Sequence, residues 1–224
     1  GRDLYEASPA AREIFDLAES LRPGTLSQCF SGTKEELSQT INTQPCLFAM
    51  DYACAAAARE AGVSPDCAAG FSLGEVAAMA FAGVMDFDEA FRFVIKRAEE
   101  MQSCAEKHPG AMGAVLRLTP AQVEDICRAF PDKAFPVNYN CPGQTVVACA
   151  VEVYDELAAK VTEARGRMLR LNVSGAFHTE DVYLRLDGPQ VTYWVSFHCG
   201  ENDYEFPVDR VMARLQDNAA CSAG

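Results

Sequence analysis

One short segment, Gly70-Phe71-Ser72-Leu73-Gly74, constrains the fold of this chain more than any other. The apolar run from Cys67 to Phe71 predicts a short strand, and the small apolar residues after Ser72 predict a helix that ends near Gly83. A Gly-x-Ser-x-Gly pattern between a strand and a helix requires a tight, strained turn that exposes the serine hydroxyl, and its glycines let backbones approach closely. The sequence therefore predicts an α/β domain with a parallel sheet.

This turn makes Ser72 a candidate nucleophile for acyl transfer. The helix that follows directs its N-terminal amides towards the turn. The Leu73 N–H is therefore placed to stabilise the oxyanion that forms when the Ser72 hydroxyl attacks a carbonyl carbon. A serine of this kind also needs a general base that accepts its proton.

Three histidines are available as that base. His178 directly follows the apolar run from Leu171 to Phe177. A smaller domain predicted at residues 108–172 would return the chain to the main sheet at this point. We predict His178 as the base. His108 precedes Pro109-Gly110 at a predicted domain junction and is expected in a surface loop. His198 belongs to a part of the chain without readable motifs, where a structural role is expected.

Capping residues at three positions and an alanine-rich run from Gln44 to Glu60 predict the helices of the first hundred residues. The helices begin at Ser8, at Thr33, at Gln44 and at Asp86, and the last one runs to about Lys107. Helical spacing places Ile14, Leu17, Ala18 and Leu21 on the apolar face of the first helix. Gly62 is expected to end the third helix, which begins at Gln44.

A second, smaller domain is predicted at residues 108–172, because shorter units replace the long helices from Gly110 onwards. The units are strand Ala111 to Leu118, helix Thr119 to Phe130, strand Phe135 to Asn140, strand Gln144 to Ala150, helix Val151 to Arg165 and strand Arg167 to Val173. This βαββαβ order is typical of a ferredoxin-like subdomain. The main domain then comprises residues 1–107 and 173–224, and the subdomain is an insertion.

The segment 179–224 contains eight acidic and three basic residues, so it carries −5 of the net charge of −13. Val191 to Cys199 predicts a strand and Asp209 to Gln216 a short helix. The segment has no motif that indicates chemistry.

The net charge of −13 argues against nucleic acid or an anionic membrane as a partner, since both attract basic surfaces. No apolar run is long enough to span a bilayer. The ten cysteines stand singly within apolar or helical patterns and form no Cys-x-x-Cys pair, so we expect reduced, mostly buried thiols and a cytoplasmic location. The chain starts without Met, and we expect its N-terminus to be incomplete.

Several motifs resemble one known family in the same order. They are Gly-Arg-Asp-Leu-Tyr at 1–5, Asn42-Thr43-Gln44-Pro45, Gly70 to Glu75, Arg97 to Gln102, Gly110-Ala111-Met112, Asn138 to Gln144 and Gly175 to His178. As a set they resemble the malonyl-CoA:acyl-carrier-protein transacylases over residues 1 to about 178. The likeness implies an α/β-hydrolase-like main domain with a ferredoxin-like insert.

The resemblance also implies a ping-pong acyl transfer in fatty acid biosynthesis. Ser72 would take the malonyl group from malonyl-CoA, His178 would act as general base and then acid, and the phosphopantetheine thiol of acyl carrier protein would accept the group. It implies no metal and no bound cofactor, and we expect a monomer.

The resemblance further assigns substrate-binding roles to Arg97, Gln44 and Asn138. Arg97 corresponds to the family's clamp for the malonyl carboxylate, which a planar guanidinium can bind through two parallel hydrogen bonds. Gln44 corresponds to a residue that lines the active site, and Asn138 is a candidate for the same surroundings. An ion pair on the helix surface with Glu99, Glu100 or a nearby Asp is the alternative for Arg97.

Two other functions stay open at this point. A serine esterase or thioesterase would use the same Ser72 and let water resolve the acyl-serine. An inactive, truncated transacylase would keep the fold without the chemistry, because the family's N-terminal glycine-glutamine loop, which supplies the second oxyanion donor, does not precede Gly1. The family's C-terminal part is not recognisable after His178 either.

Overall fold

The structure, a computed structural model, describes residues 1–107, 109–171, 173 and 175, together with two strands at 181–187 and 192–198. The chain forms two compact units. The first contains residues 1–100 and the second residues 101–171 of the described part. The two later strands, β5 (Asp181–Asp187) and β6 (Thr192–His198), form a two-stranded sheet.

The regular elements of residues 1–107 are helices joined by loops. They are α1 (Arg2–Ala7), α2 (Pro9–Leu21), α3 (Thr25–Ser31), α4 (Lys34–Leu37), α5 (Thr40–Glu60), α6 (Leu73–Phe81) and α7 (Phe87–Lys107). The predicted N-caps are confirmed for α2 and α4: the Ser8 side chain accepts a hydrogen bond from the Ala11 N–H, and the Thr33 side chain accepts one from the Glu36 N–H.

The predicted apolar face of α2 is partly wrong. The buried residues are Ala11, Phe15 and Ala18, whereas Leu17 is 37% exposed. Phe15 makes edge-to-face contacts with Tyr5 and with the Phe30 ring, at centroid distances of 6.1 and 5.4 Å. The larger aromatic ring therefore faces the core, and the helix is turned so that Leu17 faces solvent.

Helix α5 begins at Thr40, which is four residues before the predicted start at Gln44. Proline is best tolerated in the first turn of a helix, and Pro45 lies beyond the first turn of α5. The extra turn forms because side chains hold it from outside. The Thr43 hydroxyl, for example, lies within hydrogen-bond distance of the carbonyl oxygens of Leu37 and Gln39, at 2.5 and 2.9 Å, and its one proton is shared between them.

Three aromatic rings join α5 to α7 in the core of the first unit. Phe48 is fully buried and lies 5.5 Å from the Phe87 ring and 5.9 Å from the Phe91 ring, and these two rings stack at 5.6 Å. Burying one such side chain contributes about 1.5–3 kcal/mol to folding. The contact fixes α7 against α5, and α7 carries Arg97.

The predicted strand from Cys67 to Phe71 is not formed in the described structure. Residues 67–70 are exposed and pair with no strand in the part of the chain that is described. A strand exists only through hydrogen bonds to a neighbour, and Ala68, Ala69 and Gly70 have low β-propensity and little apolar surface to attract one.

The second unit contains one antiparallel sheet and two helices. Its elements are β1 (Gly110–Leu116), α8 (Pro120–Arg128), β2 (Ala134–Cys141), β3 (Gln144–Ala150), α9 (Tyr154–Glu163) and β4 (Arg167–Arg170). The spatial strand order is β2-β3-β1-β4, and each neighbouring pair is antiparallel. The predicted order of elements along the chain is confirmed.

Local signals explain the boundaries in this unit. The Thr119 side chain and Gln122 form a capping box at the start of α8. Gly143 has a φ of 82° in the β2–β3 turn, a conformation that glycine adopts without strain. Strand β4 ends at Arg170, opposite Gly113 on β1 and three residues before the predicted end.

The two faces of the sheet bury different apolar sets. Val115 and Val147 pack with Leu157 and Val161 of α9 in one core. Met112, Ala114, Val146 and Ala148 form a separate cluster. Alternating residues of β1 and β3 thus contribute to each set, as the two-residue period of a strand requires.

The cysteines are only partly as expected. The eight within the described residues are free thiols, and four of them are exposed, namely Cys54, Cys67, Cys104 and Cys141. They lie on the outer faces of α5 and α7, in the loop before Ser72 and at the β2–β3 turn. The expectation that most thiols are buried is therefore wrong for this part of the chain.

Candidate active site

Ser72 occupies the strained turn that its motif predicts. Its backbone has φ 53° and ψ −110°, and it stands at the N-cap position of α6. The Gly74 N–H donates to the Phe71 carbonyl at 2.9 Å and closes the turn. A positive φ in a serine costs about 1–3 kcal/mol, and such strain concentrates at functional sites. The half-buried hydroxyl is presented at the start of the helix.

The two glycines of the motif have different roles. A Cβ atom at Gly70 would overlap the carbonyl group of Gly74 and the amide of Glu75, so only glycine permits this turn. At Gly74 an added Cβ would meet no atom of the described residues within 4 Å. The expectation that both glycines allow close backbone approach is therefore confirmed for Gly70 and wrong for Gly74 within this part of the chain.

Helix α6 begins at Leu73, directly after the serine. The first N–H groups of a helix have no acceptor within the helix, and the helix dipole adds partial positive charge at this end. The Leu73 amide therefore belongs to the group of donors suited to a developing oxyanion beside Ser72. Its assignment as the oxyanion donor stays a prediction.

Arg97 joins the serine to a second polar side chain. One terminal nitrogen of its guanidinium, Nη2, donates to Ser72 Oγ at 3.1 Å, and the other, Nη1, donates to Gln44 Oε1 at 2.5 Å. Gln44 is only 6% exposed. The fold thus brings together three predicted site residues from α5, α7 and the turn before α6, which are 25 and 53 positions apart in the chain.

The alternative for Arg97, an ion pair with neighbouring glutamates of α7, is not what the structure has. Glu99 and Glu100 pair instead with Lys96, at 3.6 and 2.5 Å. Arg97 turns inward from the same helix. Partial burial lowers the pKa of the Arg97 guanidinium, and the nearby Glu75 carboxylate opposes this shift. An arginine keeps its positive charge even so, because a guanidinium is not deprotonated in proteins.

Glu75 is the site residue that sequence reasoning missed. It lies in the first turn of α6, and its carboxylate interacts electrostatically with Arg97. An acidic residue in the first turn of a helix is usually explained by the helix dipole alone. The signal was its position directly after the Gly-x-Ser-x-Gly motif.

The remaining predicted residues are not tested by this geometry. Asn138 is buried in β2 of the second unit, opposite Val146 of β3. His178 and His108 lie outside the described residues, and so does the predicted helix at 209–216. His198 is the last residue of β6, which confirms the predicted strand in that region.

Across the described ranges, no group of three or more His, Cys, Asp or Glu side chains is arranged to hold a metal ion. None of the helices in the same residues is both long and apolar enough to cross a bilayer.

Ser72 stands on a strained turn directly before a helix, and an arginine donates to its hydroxyl. This arrangement places the chain among α/β proteins with a nucleophile-elbow turn. The comparisons with known proteins narrow this class. The acyl transferase domain family matches residues 1–187, and the chain belongs to this family.

Curated relatives carry a more specific name. The chain is 37% identical over 186 residues to the malonyl CoA-acyl carrier protein transacylase of Bacillus subtilis, and 36% identical over 183 residues to that of Staphylococcus aureus. Each match covers 80% of this chain. The chain spans only 58% and 59% of the length of these two relatives.

Solved structures agree with this family. A type II polyketide synthase acyl-carrier protein in complex with its malonyl-transacylase matches with a TM-score of 0.74 and 33% identity, covering 78% of this chain and 58% of that one. The malonyl-transacylase of Streptococcus pneumoniae matches with a TM-score of 0.72 and 35% identity, over 80% of this chain and 60% of that one. An acyltransferase domain of the salinomycin polyketide synthase matches with a TM-score of 0.73 and 34% identity, covering 80% of this chain and 42% of that one.

Proposed function

We propose that this chain carries the site of a malonyl-CoA:acyl-carrier-protein transacylase, which works in fatty acid biosynthesis through a malonyl-serine intermediate. The observation that carries the proposal is the direct hydrogen bond from Arg97 Nη2 to Ser72 Oγ, at 3.1 Å. It places a permanent positive charge beside the nucleophile. The names of the relatives support the same reaction.

The reaction begins with attack of Ser72 Oγ on the thioester carbonyl carbon of malonyl-CoA. A C–O bond forms, the serine proton passes to the base, and the C–S bond breaks as the coenzyme A thiol leaves with a proton. In the second half, the phosphopantetheine thiol of acyl carrier protein attacks the serine ester. The serine hydroxyl is then restored, and the malonyl group is held as a new thioester.

Two groups complete this chemistry in the proposal. The Leu73 N–H at the start of α6 would stabilise the oxyanion of both tetrahedral intermediates. His178 would act as the base in the first half and as the acid in the second, the role that a serine nucleophile requires of a histidine.

Arg97 would select acyl groups that carry a second carboxylate. In a malonyl-serine ester, the free carboxylate carbon is three bonds from Oγ, which is within reach of a guanidinium that contacts Oγ directly. Gln44 holds the other terminal nitrogen of this guanidinium and so fixes its plane. A fixed plane favours the two parallel hydrogen bonds of a bidentate carboxylate complex. Asn138 is proposed to contribute to the same surroundings.

The finer fold assignment is also part of the proposal. We infer an α/β-hydrolase-like main domain, residues 1–107 and 173–224, with a parallel sheet, and a ferredoxin-like insert at 108–172. The β2-β3-β1-β4 order, with every neighbouring pair antiparallel, supports the insert. The Ser72 turn supports the main domain.

Acyl carrier protein is the proposed partner, and the complex named among the similar structures supports it. No metal or bound cofactor takes part in the proposed reaction, since both half-reactions need only the serine, the base and the oxyanion donors. A monomer in the cytoplasm completes the proposal, and the eight free cysteines of the described residues support a reducing compartment.

The test is incubation of the chain with malonyl-CoA, followed by peptide mass spectrometry. We expect a malonyl adduct on Ser72 and none in the Ser72→Ala variant, with transfer to phosphopantetheinylated acyl carrier protein on addition. Folded protein that forms no adduct would refute the proposal. A serine hydrolase would instead release malonate to water faster than to the carrier protein.

Arg97→Ala separates the transacylase from an esterase further. Removing one partner of a partly buried charge pair costs about 2–5 kcal/mol, so we expect the rate of malonyl loading to fall about thirtyfold to several thousandfold. Loading with acetyl-CoA should fall much less. Arg92→Ala is the matched control, because Arg92 lies on the same helix, is exposed and pairs with Asp88. Equal losses for the two acyl groups would contradict the clamp.

A further inference from the structure

A group of polar side chains surrounds the first turn of α5, on the side away from Gln44. Arg22 Nη2 and Gln28 Nε2 donate to Asn42 Oδ1 at 2.8 and 3.1 Å, and Asn42 Nδ2 donates to the Glu36 carbonyl at 3.1 Å. All three hydrogen bonds meet at Asn42, which is half-buried. The side chain therefore ties this turn to three neighbouring segments at once.

The partners of Asn42 are themselves fixed. Arg22 Nη1 donates to Gln28 Oε1 at 2.6 Å, and Gln28 Nε2 also donates to Glu36 Oε1 at 3.1 Å. The amide of Gln28 is thus bonded at both ends, and the network contains one cation and one anion. Networks in which every member is satisfied hold one geometry better than isolated contacts do.

The first turn of α5 needs this external support. Pro45 lacks an N–H, so the carbonyl of Ile41 has no helical hydrogen bond from the position four residues later. Gln44 stands between these two residues, in the weakened part of the helix. Residues two positions apart on a helix are rotated by about 200°, so Asn42 and Gln44 face nearly opposite directions.

The outward-facing side of the turn is thus anchored by Asn42, and the inward-facing side carries Gln44, which bonds to Arg97. We propose that Asn42 is a positioning residue, which fixes the first turn of α5 so that Gln44 holds the Arg97 guanidinium in the plane that receives the acyl carboxylate. The inference rests on the proposed function, since that function supplies the carboxylate. It adds a residue that touches neither Ser72 nor Arg97.

The test measures how well Arg97 is held, without using catalysis. Phenylglyoxal, an arginine-selective dicarbonyl, modifies arginine side chains at rates that peptide mass spectrometry resolves residue by residue. We expect Gln44→Ala to accelerate the modification of Arg97. Asn42→Leu, which keeps the branched shape of the side chain and removes all three hydrogen bonds, should accelerate it about threefold to tenfold. This is the effect of losing one or two hydrogen bonds.

Two variants control for a merely structural effect. Ser8→Ala removes the N-cap of α2 and the hydrogen bond from Ser8 to Glu60, the last residue of α5. It therefore weakens the contact between α2 and α5 at the end of α5 that is far from Asn42. It should leave the Arg97 rate unchanged. Asn42→Asp retains the acceptor oxygens for Arg22 and Gln28 and should restore a rate within about twofold of the wild type. An unchanged Arg97 rate in Asn42→Leu, or an equal rise in Ser8→Ala, would overturn the inference.

Malonate added to the same reaction separates this inference from the proposed function. We expect malonate to protect Arg97 in the wild type and to protect it less in Asn42→Leu at the same concentration. If malonate protects neither protein while Asn42→Leu still exposes Arg97, the carboxylate clamp fails and the positioning role of Asn42 stands. If malonate protects both proteins equally and the basal rates are equal, the positioning role fails and the clamp stands.

Discussion

The strained backbone of Ser72 leads to a stability prediction with an unusual sign. Ser72→Ala and Ser72→Gly both remove the hydroxyl and its hydrogen bond from Arg97, so the two variants differ only in the Cβ atom. At φ 53° and ψ −110° that atom carries the strain, which is about 1–3 kcal/mol. Glycine removes the strain.

Glycine also has a cost, because it gives the unfolded chain more freedom, worth roughly 0.5–1 kcal/mol. The difference leaves Ser72→Gly more stable than Ser72→Ala by up to about 2.5 kcal/mol. For a chain of this size, each kcal/mol corresponds to about 2–4 °C in Tm. Calorimetry and urea unfolding followed by circular dichroism would both measure the difference.

Ala78→Gly is the matched control in the same short helix. Ala78 lies in the interior of α6, where glycine costs about 1 kcal/mol relative to alanine. Replacing alanine by glycine should therefore destabilise the protein at position 78, whereas at position 72 the glycine variant should be more stable than the alanine variant. A Ser72→Gly variant that is less stable than Ser72→Ala would refute the argument that the turn stores strain.

Two further predictions concern stability outside the site. Thr145 is 1% exposed and its hydroxyl has no hydrogen-bond partner in the described residues, so Thr145→Val should raise the free energy of unfolding by about 1 kcal/mol in urea titrations. Thr25→Val is the contrasting variant, because the buried Thr25 hydroxyl donates to a backbone carbonyl at 2.6 Å, and this change should destabilise; equal effects would contradict the reasoning. Hydrogen bonds from the Gly24 and Leu26 amides lower the pKa of Glu19 in the folded protein. The ionised Glu19 carboxylate therefore stabilises the fold above the pKa that Glu19 has in the unfolded chain. This stabilisation is lost as the pH falls through the lower pKa of the folded protein. Glu19→Gln should therefore lower Tm at neutral pH and converge with the wild type in acid; a constant difference at all pH values would exclude this linkage.

Local signals in the sequence determined much of the fold. The capping residues Ser8 and Thr33 predicted two helix starts correctly, because a cap acts within three residues. The βαββαβ order was equally readable, since each unit has its own period and turn signals. The turn at Ser72 belongs to the same class, because Gly70 and the helix after it define that turn locally.

Predictions that depended on distant partners were less successful. The segment from Cys67 to Phe71 has an apolar pattern, but a strand needs a neighbour that the pattern cannot supply. The start of α5 was misplaced because Asn42 and Thr43 anchor an extra turn through partners outside the helix.

The candidate site shows the same division. The sequence by itself determined that Ser72 stands on a strained turn before a helix, and the resemblance singled out Arg97 and Gln44. Only the tertiary structure decided that Arg97 turns away from the glutamates of its own helix and bonds to both Ser72 and Gln44. The physical reason is that the direction of a long side chain depends on the packing of α5 against α7, which no local pattern encodes.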